Sequence, residues 1–170
     1  MKKIFRTLAA LTLVVVLAAS LSAAAWADGG ENGGTATQNY KATVTVYGLA
    51  DGETVNAYRL ISFDESDYNT LTIDSNYKSY LQTKSEKTDT NEILTWLSGN
   101  SAAGVLEDYL AKNLPLPTAE KEVGAANGQV TLSNLNPGYY LLTVTTTTAA
   151  DRLYRPMGVF VQPYGDTLHI

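Results

Sequence analysis

The apolar residues of this chain change period twice, and that limits the folds open to it. Ala42, Val44 and Val46 alternate with Thr43, Thr45 and Tyr47, which is the pattern of a strand with one face in a core. A second alternating run covers 54–63, with Val55, Ala57, Ile61 and Phe63 on one face. Between the two runs, Ala50-Asp51-Gly52-Glu53 predicts a hairpin, because Asp-Gly tolerates the positive φ of a tight turn. Residues 71–73 predict a short strand and 76–83 one helical turn or two. The period then becomes helical. Asp89 with Glu92 three residues on is an N-cap pair, Ile93, Leu94 and Leu97 follow at helical spacing, and Gly99 sits where a helix ends. Val105, Leu106, Tyr109 and Leu110 make the stripe of a second helix over 102–113, stopped by Pro115. Strands are predicted again at 129–132, at 139–147 (a long run rich in β-branched and aromatic residues), at 157–162 and at 167–170. The expected class is mainly β: a β-sandwich over 40–170 with a helical insertion at about 89–114 between its early and late strands.

The first 27 residues follow a different grammar. Lys2, Lys3 and Arg6 precede an apolar run, Leu8 to Ala19 in the numbering of the chain, and Ala25-Trp26-Ala27 is a small-x-small site before Asp28. These are the parts of a secretory signal peptide cleaved between Ala27 and Asp28. The other reading is an uncleaved anchor, since residues 7–27 carry no charge over a length that spans a bilayer. The Ala- and Ser-rich last third favours cleavage. Residues 28–39 are Gly-, Thr- and Asn-rich and predict a flexible leader. Cleavage removes three bases and no acid, so the net charge goes from −5 to −8. Such an acidic chain is a poor nucleic-acid binder, and contact with a membrane is expected only through the leader peptide before cleavage. The absence of Cys excludes a disulfide framework, a thiolate zinc site, a Cys nucleophile and a lipid-bearing cysteine. A single His leaves little for a His-based metal site or a catalytic triad. No cofactor or metal is expected.

The most informative stretch is Leu135-Asn136-Pro137-Gly138-Tyr139-Tyr140-Leu141-Leu142, a turn running into a strand rich in rings. It resembles the L-x-P-G-x-Y-x-L signature of Cna protein B-type domains and of pilin subunits from Gram-positive bacteria, with Pro137, Gly138, Tyr140 and Leu142 at the motif positions. Thr43 to Leu49, then Asp51-Gly52, then Val55 to Leu60 are similar to the opening strands of such pilins, and 93–114 to a helical insertion in their N-terminal domains. The resemblance spans 40–170. It implies an Ig-like, Cna-B-like sandwich and an exported structural or adhesive role in fimbriae at the cell wall. The implied partners are other pilin subunits, and sortase through a C-terminal region.

In that family an internal amide bond joins a first-strand Lys to an Asn or Asp on the last strand, assisted by a buried acid. Here the position of the assisting Glu is Val144, the usual Lys position is near Tyr47, and Lys41 is the lysine closest to it. No Asn follows Asn136, which leaves Asp166 as the late acceptor. The expectation is a domain without the bond, as in several pilin N-terminal domains, with Lys41 and Asp166 as its carriers should it form. No L-P-x-T-G sorting signal and no Tyr-Pro-Lys-Asn-like motif occurs; Leu116-Pro117-Thr118-Ala119 only echoes the first. The chain is expected to be a fragment, a truncated form, or a subunit used differently, whose edge strands accept a neighbour's strand.

Other signals are weaker. Asp64, Glu65, Asp67 and Asn69 read as a solvated acidic loop rather than a calcium loop, because the spacing and glycine of such loops are missing. Glu107 and Asp108 are adjacent on a helix and cannot flank a glycosidic bond. Trp96 reads as core or near-core, His169 as exposed or strand-paired, Asn134 and Asn136 as turn chemistry, and 145–148 as an exposed strand end. The chain is not expected to be an enzyme: no nucleophile–base pair or G-x-S-x-G context is visible. The alternative to a pilin is a stand-alone secreted module for glycans or host protein, which the eleven tyrosines leave open.

Overall fold

The computed structural model describes residues 41–64, 70–146, 154–161 and 168–169. In chain order its elements are β1 (Ala42–Tyr47), β2 (Thr54–Phe63), β3 (Leu71–Ile73), α1 (Ser75–Ser85), α2 (Thr90–Ser98), α3 (Ala102–Ala111), β4 (Lys121–Gly124), β5 (Gln129–Leu135), β6 (Gly138–Thr145), β7 (Met157–Val161) and β8 (Leu168–His169). This is a mixed α/β domain with its helices inserted between early and late strands. The expected leader peptide at 1–27 with its expected Ala27–Asp28 junction, residues 28–40, and Glu65, Asp67, Asn69, Thr147, Thr148 and Asp166 lie outside the described residues.

The strands form two sheets. One has the order β5-β1-β8, the other β3-β2-β6-β7 with β4 also on β2. β1 is antiparallel to β5 and parallel to β8, where Thr45 pairs with His169. The long β2 gives one edge to β6 and shares the other between β3 and β4. Val44, Val46, Val130, Leu132 and Leu135 of the first sheet pack with Val55, Ala57, Tyr140, Leu142, Val159 and Val161 of the second. The opposite face of the second sheet offers Leu60, Ile61 and Leu141 to Tyr77, Tyr80, Leu81, Ile93, Leu106 and Tyr109 of the helices. The second sheet is therefore covered on both faces. That is why Tyr139 to Val144 reads as an almost unbroken apolar run rather than an alternating one.

Three expectations change. The Asp51-Gly52 turn forms, with the Glu53 N–H donating to the Ala50 carbonyl at 3.2 Å and Gly52 at φ 87°. It is not a hairpin, however, because β1 and β2 belong to different sheets. The apolar residues of β2 do not share one face. The register slips between Arg59 and Ile61, so Val55 and Ala57 face the first sheet while Leu60 and Ile61 face the helices. Residues 76–83 belong to a full helix, α1. Asp74 caps it, accepting from the N–H groups of Asn76 and Tyr77, and it buries Tyr77, Tyr80 and Leu81. The Asp89 cap of α2 forms as the sequence predicts.

Candidate functional site at the start of the first strand

The connection from β5 to β6 holds only Asn136 and Pro137. Asn136 is gripped on every polar group. Its carbonyl accepts from the Tyr140 hydroxyl at 2.8 Å, and its N–H donates to Glu120 Oε1 at 3.2 Å. Its side-chain Nδ2 donates to the same oxygen at 2.9 Å. Glu120 stands just before β4 and is anchored by its own N–H, which donates to the Ala57 carbonyl at 2.8 Å. Its other oxygen, Oε2, meets Nε of Arg59 at 3.0 Å. Arg59 lies at the slip in β2, opposite Tyr140 on β6. Burial, and then the neighbouring Glu120 carboxylate, push the Tyr140 phenol well above its ordinary range, so it stays a hydrogen-bond donor.

Lys41 completes the cluster. Ala42 is the register partner of Leu135. One step back along β1 and one step on past the end of antiparallel β5 brings Lys41 beside Asn136, 95 residues away in sequence. The Lys41 Nζ donates to Asn136 Oδ1. An amine thus touches the oxygen of a carboxamide whose NH2 is held by a carboxylate. Glu120 and Arg59 keep 18% and 30% of their side-chain surface exposed, and Lys41 is exposed. The site is open to water and protons on one side. Chemically it presents a nucleophile, an acyl group and a proton carrier in contact.

The residues singled out from sequence divide accordingly. Pro137 is buried in the connection and Gly138 at the first position of β6, and Tyr140 and Leu142 lie in the cluster between the sheets. Gly138 is there because a Cβ would stand 2.4 Å from the Ile61 carbonyl oxygen and 3.0 Å from Arg59 Cδ. Val144 packs against the sheet cluster, so no acid comes from β6. Lys41 is in the site, with Asn136 as its neighbour, while Asp166 lies outside the described residues. Asn136 is turn chemistry and also a member of the site. Glu120 and Arg59 carried no signal in the sequence, since a Glu before Lys121 on a polar stretch looks like any solvated acid.

The remaining signals are structural. Trp96 is half-buried against the helix-side cluster. Asp108 accepts from the Tyr80 hydroxyl at 2.8 Å and from Lys84 at 3.1 Å, joining α3 to α1, whereas Glu107 is exposed. Among the described residues no group of three His, Cys, Asp or Glu is arranged to hold a metal, and no helix is long and apolar enough to cross a membrane. No protein-family model matches the chain, and no curated protein matches it in sequence.

Proposed function

We propose that the chain is an exported structural domain of the Gram-positive pilin type, in which Lys41 and Asn136 become joined by an amide bond. One observation carries this reading: the Lys41 amine rests on the Asn136 carboxamide while Glu120 holds the nitrogen that must leave. In the reaction the exposed Lys41 ammonium first gives one proton to water on the open side of the site, and the freed Nζ lone pair attacks Asn136 Cγ. The Nζ–Cγ bond forms and the Cγ–Nδ2 bond breaks. One Nζ proton passes by way of the Glu120 carboxylate to Nδ2, and ammonia leaves. The domain acts once, on itself, with no outside substrate. The bond ties the start of the first strand to the connection between the sheets, where a pull on the N-terminal side would otherwise peel β1 away.

The wider reading is a Cna-B-like sandwich for fimbriae at the cell surface, with other subunits and sortase as partners. The leader grammar of 1–27, the Pro137-Gly138-x-Tyr140 context and the two sheets sharing one apolar cluster support it. The tyrosines favour it over a glycan platform. Among the described residues Tyr77, Tyr80, Tyr109 and Tyr140 are buried, and the large exposed apolar side chains are Tyr47 on β1 and Phe160 on β7.

Mass spectrometry of the full chain tests the crosslink. The expected result is a protein lighter than its sequence by one ammonia, and a branched tryptic peptide joining Lys41 to Asn136. The Lys41→Met variant should keep full mass. Full mass and linear peptides in the parent protein would overturn the proposal. A denaturing immunoblot of cell-wall fractions tests the fimbrial role: a ladder that survives boiling supports it, and a single band in the medium removes it.

A further inference from the structure

On the footing of that crosslink, we infer that Arg59 and Glu120 make the site selective for a carboxamide, so that position 136 functions as Asn and not as Asp. The argument is one of donors and acceptors. A carboxylate only accepts hydrogen bonds and an ammonium only donates them. Glu120 spends Oε2 on Arg59 and presents Oε1 to Asn136, where it receives both the backbone N–H and the side-chain Nδ2. Lys41 faces the other end of the same amide, at Oδ1. The two ends read opposite polarity, donor on the Glu120 side and acceptor on the Lys41 side. A carboxamide satisfies both in a single orientation. That orientation also sets the departing nitrogen against the carboxylate that receives its proton route.

An acid at 136 breaks the arrangement at one end. Its second oxygen would take the place of Nδ2, 2.9 Å from Glu120 Oε1, putting two carboxylates in contact. Water rather than ammonia would have to leave, with no donor on the Glu120 side to assist it. Arg59 acts through Glu120 and is a positioning residue. It fixes Oε2, so that Oε1 alone points at position 136. Gly138 makes room for it, since a Cβ there would stand 3.0 and 3.2 Å from the Arg59 Cδ and Cγ. The glycine of the turn thereby serves the site as well as the turn.

The test uses the full chain and two readouts. The first is the rate at which the branched Lys41–Asn136 peptide appears after refolding. The Asn136→Asp and Arg59→Met variants should each slow it by at least about tenfold, the worth of one charge-assisted hydrogen bond. Arg59→Lys should recover most of the rate, which a merely structural defect would not allow. The second readout is NMR in the Lys41→Met background, where no bond can form. The Asn136 side-chain NH2 should be slow to exchange with solvent, and adding Arg59→Met should remove that protection. Crosslinking of Asn136→Asp at the parent rate, or unchanged rate and protection in Arg59→Met, overturns the inference. If the parent protein forms no bond, the crosslink reading falls by itself, and the NH2 signals still decide whether Arg59 orients the amide.

Discussion

Gly138 shows how one missing side chain serves several ends. Its backbone passes so close to β2 that a methyl group would meet the Ile61 carbonyl oxygen at 2.4 Å and the Arg59 stem at 3.0 Å. The carbonyl belongs to a central strand paired with both β3 and β6, so it has little freedom to retreat. Gly138→Ala should therefore cost about 1–3 kcal/mol, the range for overpacking a fitted interior. Guanidinium unfolding should show this as a lower midpoint. The same variant should slow the proposed Lys41–Asn136 reaction, because the Arg59 stem is one of the groups displaced. An unchanged midpoint would mean that β6 can shift bodily, and that the close approach is not a constraint.

Among the elements, α1 and α3 are joined by a polar contact that should answer to pH. The Tyr80 hydroxyl donates to Asp108, and Lys84 adds a second bond to the same oxygen. These two bonds, Tyr80 first, hold the Asp108 carboxyl below the usual carboxylate range. A carboxyl lowered in the folded state adds stability above its unfolded value, near pH 4, and loses it as the pH falls through the folded value. Asp108→Asn should therefore lower the thermal midpoint near pH 7, and its curve should converge with the parent's in acid. Parallel curves throughout would show that the contact does not couple the helices. The elements themselves were largely legible in the sequence. The bounds of β2 follow from its alternation, and the start of α2 from Asp89. α1 was harder because Ser75 to Ser85 is polar apart from Tyr77, Tyr80 and Leu81; the Asp74 cap was the available signal. Sheet membership was not legible. Asp51-Gly52 announces that the chain turns, but not that it turns into another sheet. Nor was the grouping of Lys41, Asn136, Glu120 and Arg59. Register and the slip in β2 bring these together across 95 residues, and neither can be read from spacing.

For the whole molecule, the consequence of a Lys41–Asn136 bond is topological. It would close a loop of 95 residues that contains β1 to β5 and all three helices, leaving β6 to β8 outside it. The folded state gains little new contact, since the two groups already touch. The unfolded state loses most, because its ends can no longer separate. By the loop-entropy relation used for disulfides, closure of a loop this long contributes about 4–5 kcal/mol. The Lys41→Met chain should be less stable by about that amount, a fall of roughly 15 °C in thermal midpoint for a domain of this size. The slope of its guanidinium transition should also be steeper, because an open chain exposes more surface than a looped one. Unlike a disulfide, the amide should keep the parent protein's advantage in excess thiol. Equal midpoints and equal slopes for the two chains would count against any covalent tie between the first strand and the β5–β6 connection. A lower midpoint with an unchanged slope would assign the loss to the hydrogen bond of Lys41 alone.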